Sequence, residues 1–175
     1  MFFPYKCLLS IVIAKSVVGL IASLATNGTI LSRSFWDIYK ALLLGTGFAL
    51  IQEGKVVGYA EILIHKNVFV LVSVSADPSI QNKGIGWTVV SNRIDYAFSI
   101  DPNKPIVLAC TNDEKIGLMS FYRKFGFVEM HKENAPKEVR HGRTDKEWMA
   151  SDRAWMIIKN KAYWDARRYK TPTMK

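Results

Sequence analysis

Two cysteines in 175 residues, Cys7 and Cys110, are too few to staple a small secreted fold, and their spacing fits no zinc motif. A reducing, cytoplasmic setting is the expectation. Histidine is equally sparse: His65, His131 and His141 share no metal-ligand spacing, so no metal is expected and each reads as a surface histidine. No uncharged stretch reaches the ~18 residues of a membrane helix, because Lys15 interrupts the apolar N-terminus and Gly19 and Ser23 dilute the next apolar stretch. The run Cys7 to Ala14 behind Lys6 has the outline of a short signal-peptide core, but a buried first strand is the better reading. No membrane partner is expected, and neither an internal repeat nor a low-complexity tract is present.

What is abundant is apolar side chain. A composition that is 49% hydrophobic, with five Trp and nine Phe, supports a substantial core in one domain spanning residues 1–175. The formal charge of +9 is unevenly placed: residues 1–122 hold 10 basic and 8 acidic side chains, residues 123–175 hold 14 and 7. A positive field attracts polyanions, which include both phosphorylated cofactors and RNA.

Along the chain, Lys6 to Ala14 is β-branched and apolar enough for a strand buried on both faces. Val17, Leu20, Ile21 and Leu24 follow helical spacing, and Ser34 is placed to cap a second helix that carries Asp37 in its first turn and stops at Gly45. The opening therefore reads strand, helix, helix. Phe48 to Gln52 and Val56 to Ile64 form a hairpin across Glu53-Gly54-Lys55, and Val68 to Ala76 makes a third strand, with Val72, Val74 and Ala76 on one face and Ser73 and Ser75 on the other. Gly84 to Ile100 is a helix with an apolar stripe of Val89, Val90, Ile94, Ala97 and Phe98. A strand over Ile106 to Thr111, a helix over Ile116 to Lys124 stopped by Gly126, a strand over Phe127 to His131 and a final strand over Ala154 to Lys159 complete the pattern. Strand, helix and strand twice over imply parallel neighbours with crossover helices.

The chemistry sits in Ala76-Asp77-Pro78-Ser79-Ile80-Gln81-Asn82-Lys83-Gly84-Ile85-Gly86, between a predicted strand and a predicted helix. Glycines at such a turn let backbone N–H groups converge, and the helix dipole adds partial positive charge, which makes an anion cradle. Dinucleotide and nucleoside-triphosphatase loops are excluded, since Trp87 and Thr88 follow Gly86. The pattern Pro-x-x-Gln-x-x-Gly-x-Gly after a strand resembles the coenzyme A signature of the GNAT acetyltransferase superfamily. Downstream, Asn112 and the run Phe121-Tyr122-Arg123-Lys124-Phe125-Gly126-Phe127 resemble the second motif of that superfamily, although the interval from Asn112 to Tyr122 is longer than in its usual form.

The resemblance covers residues 46–130 and implies an α/β (α+β) fold: a mixed, mostly antiparallel central sheet of about six or seven strands flanked by about four helices. It implies acetyl-CoA as cofactor. It further implies that Gln81, Asn82, Lys83, Gly84, Ile85, Gly86 and Trp87 hold the pyrophosphate mainly through main-chain N–H groups, that Val74 and Ala76 pair their backbones with the pantetheine arm, and that Asn112 and Tyr122 complete the cofactor site.

Acetyl transfer to an amine needs a base for the attacking nitrogen, an oxyanion stabiliser and a proton for the departing thiolate. Tyr122 is the candidate proton donor, against the alternative of a core tyrosine beside Phe121 and Phe125. Glu61, a carboxylate in the otherwise apolar strand Val56 to Ile64, is the candidate base, against the alternative of a solvent-facing residue; Asp77, Asp113 and Glu114 at strand ends are further candidates. Cys110 lies in an apolar strand without a basic neighbour and reads as core, not nucleophile.

The charged loop 129–153 is expected to wall the acceptor site. A small-molecule or protein amine is the first acceptor class. Aminoacyl-tRNA is the alternative, to which the basic, aromatic tail over 160–175 would contribute RNA contacts, although an amphipathic terminal helix or a solvated tail is the commoner reading of such a segment. A non-catalytic coenzyme A-binding module is the third reading. A homodimer would follow if the last strand were an exposed edge.

Overall fold

The computed structural model describes residues 3–25, 34–80, 83–111, 117–137 and 153–168. Five α-helices and six strands occur in these segments: α1 (Phe3–Ala25), α2 (Phe35–Leu44), β1 (Gly47–Gln52), β2 (Lys55–Ile64), β3 (Phe69–Ala76), α3 (Ile85–Ile100), β4 (Ile106–Thr111), α4 (Leu118–Arg123), β5 (Val128–Met130), β6 (Arg153–Ile158) and α5 (Lys161–Arg168). The strands make one mixed, mostly antiparallel sheet in the order β1-β2-β3-β4-β6-β5. The described chain groups into two compact units, Met1–Leu63 with Leu71–Tyr96, and Ile64–Val70 with Ala97–Lys175.

Lys6 to Ala14 is not a strand; it is the first half of the continuous helix α1. An apolar run of that length does not distinguish strand from buried helix. What decides it is that Ser10, Ala14, Val17 and Ile21 are all buried, an i, i+4, i+7, i+11 stripe that runs past Lys15 without a phase change. Ala14, Val17 and Ile21 pack with Ile38 of α2 and Tyr59 of β2 in one apolar cluster. None of the described helices is long and apolar enough to cross a membrane.

Helix α2 begins and ends where its sequence signals lie. Ser34 Oγ accepts the Asp37 N–H at 3.1 Å and donates to Asp37 Oδ2 at 2.8 Å, while Gly45 at φ 76° closes the helix with its N–H on the Leu42 carbonyl. The β1–β2 hairpin turns through Glu53 and Gly54, both at positive φ (49° and 75°), which is the geometry that matches strand twist. Strand β3 departs from its expected alternation. Ser73 takes φ 55°, which interrupts the pleat, and Ser75 is buried with its hydroxyl donating to the Ser73 carbonyl at 3.1 Å. The two serines do not share a solvent face.

In the second unit, Phe69 and Val70 pair in parallel with Ile106 and Val107. The second expected parallel pair does not form, because β6 lies between β4 and β5 and is antiparallel to both. The last strand is thus internal, and the edge argument for a dimer fails there. Helix α4 is shorter than expected at Leu118–Arg123, with Gly117 at its start; Phe125 and Phe127 N–H groups both bond the Tyr122 carbonyl at its end. Helix α5 seats Trp164 in the core, stacked 6.3 Å from Phe125, so this part of the tail is an amphipathic helix.

Gly126 holds φ 86°, and a Cβ there would meet the Arg167 side chain at 3.2 Å. Gly126→Ala is expected to cost about 1–2 kcal/mol through left-handed strain. A urea midpoint indistinguishable from wild type would contradict this.

Candidate functional site

The β3–α3 junction is built from local bonds. Asp77 N–H donates to the Val57 carbonyl at 2.8 Å, tying the end of β3 to β2. The Asp77 carboxylate accepts from the Ser79 N–H at 2.9 Å and the Ser79 hydroxyl at 2.7 Å, and these two bonds hold its pKa below the usual value, with Lys55 adding to the effect. A carboxylate engaged in this way shapes the turn and is a weaker base than a free one.

The chain then enters α3. Gly84 has φ 74°, and the space a Cβ would take there is open. The first helical bond is Thr88 N–H to the Gly84 carbonyl at 2.9 Å, so the Ile85 and Gly86 amides lie ahead of the ladder at the positive end of the helix. Lys83 is exposed beside them, and Gly86 and Trp87 are half-buried. Ile85 is buried against β2, where Gly58 makes room for it: a Cβ on Gly58 would lie 2.7 Å from Ile85 Cγ2 and 3.0 Å from Val89 Cγ1. This glycine, unmarked by any sequence motif, sets how closely the first two turns of α3 approach the strand. Gln81 and Asn82 lie outside the described residues, as do Asn112, Asp113 and Glu114.

The chain belongs to the GNAT acetyltransferase family. The family model described as acetyltransferase (GNAT) family matches residues 22–127. No match is found among curated proteins. Among solved structures, N-acetylglutamate synthase from Neisseria gonorrhoeae, crystallised with coenzyme A and N-acetyl-glutamate, aligns with a TM-score of 0.68 at 18% identity, over 82% of this chain and 32% of that one. The chain therefore spans about a third of the length of that synthase. A GNAT-family acetyltransferase from Staphylococcus aureus aligns with a TM-score of 0.65 at 18% identity, over 85% and 92% of the two chains. The PaiA N-acetyltransferase from Thermoplasma acidophilum, crystallised with coenzyme A, gives 0.61 at 15%, over 85% and 94%. At these identities the likeness establishes the fold.

Within this GNAT fold, Glu61 of β2 does not face solvent; it is 3% exposed, and Tyr59 Oη donates to its Oε2 at 3.4 Å. Sequence reasoning passed over Arg93, whose guanidinium is buried and bonds the Gly45 and Thr46 carbonyls at 2.8 and 3.0 Å. The signal for it was a lone cation on the helix face beside the buried Ile94. In the second unit, Tyr122 packs edge-on against Phe121 and Phe127, with ring centroids 5.1 and 5.8 Å away. Burial, with a smaller contribution from Cys110, pushes its phenol well above the ordinary tyrosine value.

Burial likewise raises Cys110 to about 11, against weaker opposing help from Arg153. A thiol that stays protonated is no nucleophile at neutral pH. In a Cys7→Ser background, iodoacetamide at pH 8 is expected to alkylate native Cys110 about 100-fold more slowly than the unfolded chain, in line with the lost thiolate fraction. Equal rates would place the thiol in an open, ionising environment.

A polar depression in the same unit is lined by Glu129, His131, Lys132, Glu133 and Arg153 above Trp155. Glu129 is ion-paired with Arg123. The ring of His65 is half-buried with its Nε2 enclosed, not on the open surface; His141 lies outside the described residues.

Proposed function

We propose that the protein transfers the acetyl group of acetyl-CoA directly to the amine of a small molecule or protein. The observation that carries this is the β3–α3 junction: a left-handed Gly84 with open space in place of a side chain, directly before the unladdered amides of Ile85 and Gly86. An anion seated there meets N–H donors and the helix dipole with no side chain in its way. The donor set fits a pyrophosphate, and coenzyme A in two structural relatives is consistent with that ligand.

In this reading Gln81 to Trp87 hold the pyrophosphate by main-chain N–H groups, with Lys83 adding charge. Val74 and Ala76 offer their backbones to the pantetheine arm; both lie beyond Val70, where the pairing with β4 ends. Bound acetyl-CoA supplies an activated acetyl thioester. Glu61 takes the proton of the acceptor ammonium, which frees the nitrogen lone pair for the new C–N bond. Tyr122 keeps its proton across the neutral range and gives it to sulfur as the C–S bond breaks, while the surplus proton on the attacking nitrogen passes through solvent to the tyrosinate, leaving amide, free thiol and neutral Tyr122. Asn112 is assigned to the same cofactor site by the family motif. The loop 129–153, whose described part lines the polar depression, walls the acceptor.

Liquid chromatography and mass spectrometry of reactions with a panel of amines and peptides tests this. A 42 Da gain on one acceptor, dependent on enzyme and acetyl-CoA, is expected for an acetyl group replacing hydrogen, roughly in the steady-state range of such enzymes; no acetylated product with any amine class would overturn the reading. Aminoacyl-tRNA belongs on that panel because of the 14 basic against 7 acidic residues in 123–175. RNA binding that falls steeply with salt would favour it, but the burial of Trp164 removes one aromatic from the bases it would have stacked on.

A further inference from the structure

Glu61 sits in the first unit opposite Gly47, its cross-strand partner on β1. The register there is held from two sides. Ile62 N–H donates to the Thr46 carbonyl at 2.9 Å, and the Arg93 guanidinium bonds that same carbonyl and the one before it. Arg93 is 6% exposed, bonds Asn92 Oδ1 at 2.6 Å and stacks over the rings of Tyr96 and Phe48 at 4.6 and 5.4 Å. Its fixed fork therefore pins the α2–β1 turn on which the Glu61 end of β2 is registered.

Two residues before Glu61, on the same strand face, Tyr59 is completely buried with its ring in the α1–α2 cluster. Its hydroxyl donates to the Glu61 carboxylate at 3.4 Å. That hydroxyl occupies the space which Gly47 leaves by having no side chain: a Cβ at Gly47 would lie 2.7 Å from Tyr59 Oη, 3.2 Å from Tyr59 Cε2 and 3.2 Å from Ala41 Cβ. A buried carboxylate needs a donor to stay ionised, and a ring locked in the core offers one at a fixed place.

We propose that Tyr59 is the positioning residue of Glu61, with Gly47 reserving the room that lets its hydroxyl reach the carboxylate. This rests on the reading of Glu61 as base. Among the described side chains, the other titratable and charged groups on the elements packed here are Lys55 of β2, Arg93 and Tyr96 of α3, exposed Asp95 of α3, Asp37, Tyr39 and Lys40 of α2, and exposed Lys15 of α1; β1 and β3 contribute none.

The test compares Tyr59→Phe, Gly47→Ala and the double variant, reading the Glu61 carboxyl directly by carbon-13 NMR titration without cofactor, its resonance assigned by loss in Glu61→Gln. Tyr59→Phe keeps the ring, so it folds and decides alone if Gly47→Ala does not. Losing the donor is expected to raise the Glu61 midpoint by roughly 0.5–1 pH unit, and the acid limb of kcat/KM with it. Gly47→Ala moves it the same way, and the double variant matches Tyr59→Phe in the Glu61 midpoint, because the hydroxyl that the new methyl group would displace is already gone. An unmoved midpoint in Tyr59→Phe, or effects that add, overturns the proposal. Undiminished turnover in Glu61→Gln would instead sink the base reading while the NMR result still judged the contact.

Discussion

Replacing Gly84 by Glu is expected to weaken acetyl-CoA binding by about two to three powers of ten while leaving the fold in place. Two effects add. A side chain at φ 74° costs about 1–2 kcal/mol of left-handed strain. A carboxylate placed beside a bound pyrophosphate adds repulsion of a few kcal/mol at an effective dielectric near ~20, and each ~1.4 kcal/mol is tenfold in Kd. The new side chain enters open space, so the loss in stability stays close to the strain alone, roughly 2–4 °C in Tm per kcal/mol. Gly84→Ala separates the two contributions, since it carries strain without charge. Calorimetric titration with coenzyme A reads both variants, and wild-type affinity in Gly84→Glu would remove the cradle from the cofactor site.

The second large effect belongs to Tyr122. Tyr122→Phe is expected to lower kcat by about 10²–10³ with KM changed less than about twofold, because the ring and its packing on Phe121 and Phe127 are kept and only the proton is lost. Burial raises its pKa, so the neutral phenol is the form present at neutral pH, though a weaker acid than a free tyrosine. The sign of the stability linkage follows from that direction. A group whose folded pKa lies above its unfolded value contributes stability fully below the unfolded pKa, near 10 for tyrosine, and loses it as pH rises toward the folded value. Tyr122→Phe should therefore flatten the alkaline fall in stability. Cys110 has the same sign over a lower window, from its ordinary 9.0 to about 11, and remains in the variant as residual slope. Unchanged kcat would make Tyr122 a core tyrosine and nothing more.

These expectations rest on parts of the molecule that differ in how far sequence reveals them. Ser34, Asp37 and Gly45 were legible because caps act within one turn, through bonds their own residue types make. The Glu53-Gly54 turn and the Gly84 cradle were legible for the same reason: both require positive φ, which few residue types supply. Lys6 to Ala14 was not, since β-branched apolar residues suit either a buried strand or a buried helix and only the company of Ile38 and Tyr59 chooses. Nor was the place of β6 between β4 and β5, which depends on a long connection and not on any local pattern. Gly47, Gly58, Tyr59 and Arg93 carry no motif. Gly47, Gly58 and Arg93 matter through neighbours distant in sequence, and Tyr59 through a core that fixes its ring beside Glu61; such pairings become visible only in three dimensions.

The most direct test of the account follows free thiol release from acetyl-CoA over a panel of amines, peptides and aminoacyl-tRNA, with Gly84→Glu and Tyr122→Phe alongside. Acceptor-dependent release that Gly84→Glu abolishes and Tyr122→Phe slows is the expected result. Tight coenzyme A binding without release for any acceptor would make the protein a binding module, and absence of binding altogether would contradict the account at its root.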